Sequence, residues 1–106
     1  MSAEDSVQTL RQLDFKEINS ACSKHNLNFR IDDYAKDKFN KSLSTVYLLV
    51  SQPIEIAISR ETKATTSQSL KDIKKVLDAL YSLTKDQKYK THIDNLNQII
   101  SHSKMR

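Results

Sequence analysis

The chain has 106 residues, 17 basic against 13 acidic, which gives a net charge of +4 and a pI near 9.2. That length provides one domain with a core of modest size, and the mild basic excess permits binding to nucleic acid or another anionic surface without requiring it. A single cysteine excludes an internal disulfide framework, the absence of glycine excludes a glycine-rich phosphate cradle, and no apolar run approaches the roughly 20 residues of a membrane-spanning helix.

Residues 1 to 12 offer only Val7 and Leu10 as apolar anchors, which predicts a flexible N-terminal arm or a frayed turn. The acidic opening Met1 to Asp5 has none of the pattern of a signal peptide, and the lone Cys22 suits a reducing compartment, so the expectation is a soluble intracellular protein. The main domain then runs from 13 to 103. Asp14 is placed to cap a helix, Glu17 stands three residues on as in a capping box, and Leu13 with Ile18 forms the pair of a hydrophobic staple. This helix extends to about His25 and buries Ile18, Ala21 and Cys22; the asparagine-rich stretch from Asn26 to Arg30 is a loop.

The chain is organised around Ile31 to Ser59. Asp32 and Asp33 suit the positive end of a helix there, and Ala35, Phe39, Leu43, Val46, Tyr47, Val50, Ile54, Ala57 and Ile58 recur at the spacing of one helical face. A helix of that extent would span roughly 43 Å, longer than a compact domain of this size is wide. Leu48, Leu49 and Ile56 add apolar groups off the main stripe, so the helix asks for more partner surface than its short neighbours provide. Pro53 allows two forms: a kinked helix, which is favoured, or a helix that stops before a short strand over Ile54 to Ile58. From Arg60 to Gln68 the sequence is polar and threonine-rich without apolar period, which predicts a loop. Ser69 with Asp72 opens a helix that buries Ile73, Val76, Leu77 and Leu80, and Thr84 with Gln87 opens a last one with Tyr89, Ile93, Leu96, Ile99 and Ile100 on one face.

The fold class is therefore all-α. The order short, long and short helix, with an additional C-terminal helix, resembles the histone fold, in which two such chains pair with their long helices crossed. Within that fold the chain is similar to the group containing the B subunit of nuclear factor Y and the small histone-fold subunit shared by DNA polymerase epsilon and the chromatin accessibility complex. Leu13 and Ile18 stand where that group opens its first helix, and Ile31 and Ala35 where it opens the long one. Phe39, Leu43, Val46, Tyr47 and Val50 fall on its buried positions, and Tyr89, His92, Ile93 and Leu96 match its C-terminal helix. Arg60 and Lys63 depart from it, lying upstream of the register in which an arginine would clasp Asp72.

The resemblance implies a nuclear subunit that heterodimerises with a second histone-fold protein and binds double-stranded DNA in a replication, chromatin-remodelling or transcription complex. The partner interface would comprise Phe39, Leu43, Val46, Tyr47, Val50, Ile54, Ile73, Val76, Leu77 and Leu80. The DNA-binding groups would be Lys24 and Arg30 at the first loop, and Arg60, Lys63, Lys71, Lys74 and Lys75 around the second. Such cations gain affinity by releasing counterions, and position a duplex without reading its bases. The competing reading is a self-contained helical bundle acting as a protein-interaction adaptor that does not touch DNA.

No catalytic constellation, small-molecule substrate, cofactor or membrane contact is expected. Cys22 and His25 make at most half a metal site with no second pair, and His92, ten residues before His102, reads as a packed or half-exposed side chain rather than a base. The sequon Asn40-Lys41-Ser42 sits in the middle of the expected helix and is discounted.

Overall fold

The computed structural model describes residues 2–51 and 57–102, the last of these by its backbone alone. All regular structure among them is helical. In chain order the helices are α1 (Ala3–Leu10), α2 (Phe15–Lys24), α3 (Asp33–Ser51), α4 (Arg60–Thr84) and α5 (Gln87–His102).

The first difference from expectation is α1, which occupies the segment read as an arm. Ser2 and Asp5 form a reciprocal capping box, which satisfies backbone donors that the helix start would otherwise leave open. Ala3, Val7 and Leu10 then share one face and are all buried. An eight-residue helix is not stable on local propensity; α1 persists because that face packs on α5 and α3. Ser6 joins it, donating from its hydroxyl to Gln98 Oε1 on α5 at 3.0 Å.

α2 starts where the sequence indicates, with the Asp14 carboxylate accepting the Glu17 N–H at 3.1 Å. The segment before α3 is pinned to α2 by the Asn19 carboxamide, which donates to the Ile31 carbonyl and accepts the Ile31 N–H, both at 2.8 Å. α3 is shorter than predicted, 19 residues, and residues 57–59 are not helical. Pro53 and Ile54, and with them the choice between kink and strand, lie outside the described residues.

The second difference is larger. Residues 60–68 are not a loop but the opening third of α4, a continuous helix of 25 residues. Ser59 caps it, accepting the Thr62 N–H at 3.1 Å, so Ser69 is an interior residue rather than a cap. The polar stretch is helical because the side chains it buries are small hydroxyl residues: Thr66, Ser67 and Ser69 are all buried. Threonine and serine cost only tenths of a kcal/mol each in a helix interior, about 0.7 at most, so packing decides the outcome. α4 ends at Thr84 and is capped by Lys85, held at φ 56° in the left-handed region, and α5 begins at Gln87, just after Asp86, whose carboxylate accepts the Lys88 N–H.

α5 packs mainly on α4 and α1, and α3 on α4 and α1, giving a body 45 × 27 × 20 Å. One core runs through all five helices, from Val7 and Leu10 through Phe15, Phe39 and Leu43 to Leu77, Leu80, Leu96 and Ile99. Phe15 and Phe39 meet edge to face with centroids 5.8 Å apart.

Candidate nucleic-acid interface

The residues assigned to a second loop and a third helix belong to one continuous element, and this brings five predicted DNA-binding residues together. At about 100° per residue, Arg60, Lys63, Lys71, Lys74 and Lys75 fall within an arc of roughly 120° on α4. The arc lies opposite the face carrying Thr66, Ser69, Ile73, Val76, Leu77 and Leu80, which are buried, and it also contains the buried Ser67 and the acidic Asp78. From Arg60 to Lys75 the stripe is about 22 Å long at 1.5 Å per residue. Arg60, Lys63, Lys71 and Lys75 are exposed and carry no ion pair among the described residues. Lys74 is half-buried and tied to Asp78, one turn on, at 2.8 Å. Toward α5 the stripe borders a groove of about 360 Å3 formed by Lys71, Lys74, Lys75, Asp78, Asn97 and Ile100.

Lys24 and Arg30 are not on this stripe. Lys24 closes α2, and Arg30 lies before α3 in a hollow with Ser23, Asn28 and Phe29. Sequence reasoning missed Lys38 and Lys41 of α3, which face Glu61, Thr62 and Thr65 across a groove of about 270 Å3. Once 60–68 is read as helix, its packing on α3 brings those lysines to the same end of α4.

The expected partner-interface residues have partners within the chain. Phe39, Leu43, Val46, Leu77 and Leu80 are fully buried, Ile73 and Val76 nearly so, and Tyr47 and Val50 are half-buried against the same core; Ile54 lies outside the described residues. The premise that α3 lacks intrachain surface does not hold. That premise treats 1–12 as an arm and 60–68 as a loop, whereas Ala3–Leu10 and 60–68 are helical, and α1 and α4 pack on α3.

The remaining candidates have structural surroundings. Cys22 is buried, which raises its thiol pKa, whereas His25 is exposed at the end of α2. Asp32 accepts the Ala35 N–H at 2.8 Å as a helix-start residue, and Asn40 is exposed in mid-α3. His92 is half-buried, burial lowers its pKa, and its Nδ1 is buried without a hydrogen-bond partner among the described residues. Glu17 of α2 and Lys88 of α5 form an ion pair beside it, and that bond raises the Lys88 pKa. No three His, Cys, Asp or Glu side chains among the described residues stand close enough to share a metal ion.

Compared with models of protein families, with curated proteins and with solved structures, the chain matches none.

Proposed function

We propose that this chain is a self-contained helical bundle that works as a protein-interaction adaptor, folding without a second chain to complete its core. The observation that carries this reading is the burial of the crossed-helix set within the chain itself: Phe39, Leu43 and Val46 are fully buried, α3 packs on α1 and α4, and Phe39 meets Phe15 of α2. Half a core left open would expose a contiguous apolar patch. Among the described residues the large exposed hydrophobes are Tyr34, Leu48 and Leu83. The test is the solution mass of the purified chain together with its thermal melt. A cooperative melt at the monomer mass of 12.2 kDa supports the self-contained bundle on which the adaptor reading rests. Aggregation, or a dimer at about twice that mass, overturns it.

A second reading, the nuclear histone-fold subunit that pairs with another histone-fold chain and grips duplex DNA, is favoured by the α4 stripe. The stripe is about 22 Å long, and phosphates recur every ~3.4 Å along each duplex strand, so exposed cations at its two ends are spaced to meet the backbone at separate points. Salt-dependent binding to a duplex of random sequence supports this contact, and binding that ignores salt removes it.

A further inference from the structure

A hollow of about 500 Å3 lies away from α4, where the linker after α1 meets the first turns of α2 and α3. Its base is apolar, made by Leu13, Phe15 and Ile31, which are buried. Small-molecule sites typically occupy about 300 to 1,000 Å3 and combine such a base with a few placed polar groups. The frame is fixed in advance. Asn19 clamps the Ile31 peptide from both sides, Asp14 is held by the Glu17 N–H, and Phe15 is braced by the Phe39 ring. A site of this kind loses little conformational freedom when a ligand enters.

The rim is cationic. Arg11, Lys16 and Lys36 all line the hollow, and none is in an ion pair among the described residues. The Arg11 guanidinium rests 5.7 Å from the centre of the Tyr47 ring, which fixes its position. Three cations drawn around one concavity repel one another, and a bound anion relieves that repulsion. Two carboxylates oppose it. Asp14 is engaged in capping α2, whereas the Asp33 carboxylate, one turn before Lys36, takes part in no side-chain hydrogen bond or ion pair among the described residues. Both helices also begin at the hollow, so their positive ends add to its field.

We propose that this hollow binds a small organic anion, a phosphate or carboxylate group on an apolar body. Arg11, Lys16 and Lys36 neutralise the anionic group, and Leu13, Phe15 and Ile31 receive the body. The site is separate from the α4 stripe and does not depend on either reading of it.

The experiment is a titration of the full chain with phenyl phosphate, and with benzyl alcohol as the uncharged counterpart, followed by amide chemical shifts. Saturable shifts confined to the hollow are expected, with a Kd of about 1 mM or below for phenyl phosphate and no saturation by benzyl alcohol. Lys16→Ala with Lys36→Ala, both exposed positions, should weaken binding roughly tenfold or more, because each ammonium removed takes away part of the attraction for the anion. Asp33→Asn should tighten it, because it removes the opposing carboxylate, and Lys71→Ala on α4 should leave it unchanged. Failure to saturate by about 10 mM, equal affinity for benzyl alcohol, or an Asp33→Asn chain that binds no more tightly each overturns the proposal. Should the double variant lose its dispersed spectrum, Asp33→Asn alone decides.

Discussion

Val46→Asp separates a chain that owns its core from one that shares it. Val46 is completely buried between α3 and its neighbours. The substitution forfeits about 1.5 to 2 kcal/mol of apolar burial. It also places a carboxylate where the surrounding core residues are apolar, at a further cost of about 3 to 5 kcal/mol. The sum, roughly 5 to 7 kcal/mol, is comparable with the whole stability of a domain of this size, about 5 to 15 kcal/mol. At about 4 to 8 °C per kcal/mol, Tm should fall by more than roughly 20 °C, or the transition should vanish. Val50→Asp is the internal control, because Val50 is only half-buried and its carboxylate keeps access to water; its Tm should fall by less than half as much. Circular dichroism melts of the isolated chain read the result. A Val46→Asp chain that melts within a few degrees of the wild type while losing a dimeric mass would refute the reasoning, since Val46 would then face a second chain.

Ser59→Ala should lower Tm by roughly 4 to 8 °C, since loss of an N-cap costs about 1 kcal/mol; an unchanged melt would mean that α4 starts later than Arg60. If α4 binds duplex DNA, Arg60→Ala with Lys63→Ala, and separately Lys71→Ala with Lys75→Ala, should each reduce the slope of log K against log salt by about 1.8, at 0.9 per phosphate contact; a change in only one pair would confine the contact to one end of the stripe. His92 gives a pH dependence. Its folded pKa lies below the ordinary value of about 6.5, so the unfolded chain takes up its proton first as pH falls. Its contribution is therefore level above about pH 7 and is lost as pH drops below the unfolded value, and His92→Gln should flatten the decline of Tm between about pH 7 and 5. Parallel curves for the two chains would exclude His92 as the source.

Where a helix buries an apolar face behind a conventional cap, the sequence is readable. Asp14, Glu17, Leu13 and Ile18 place α2 within a residue or so, and the three- and four-residue spacing from Phe39 to Val50 places the middle of α3. The same test is blind to a helix whose buried side chains are polar. Thr66, Ser67 and Ser69 pack inside the protein although hydropathy marks them as solvent residues. Small hydroxyl side chains can be buried between packed helices at little cost, and such burial has no signature in apolar period. α1 escaped notice for a related reason: its third anchor is Ala3, and its cap is a serine and an aspartate in a stretch otherwise resembling an acidic tail.

These two omissions have a common consequence for function. Counting α1 as an arm and the start of α4 as a loop removes the two surfaces that cover α3, and a long apolar helix without cover reads as half of a dimer. Restoring them places the same residues in an intrachain core, so uncovered surface on α3 no longer argues for a partner. The cations change meaning in the opposite direction. Arg60 and Lys63 on a loop and Lys71, Lys74 and Lys75 on a separate helix are two loosely related groups; on one 25-residue helix they form a fixed row. Each exposed lysine alone is a solvated charge of little consequence. A row carried on one helix keeps its backbone positions in register, so the continuity of α4, rather than the number of its lysines, is what places those charges along one face.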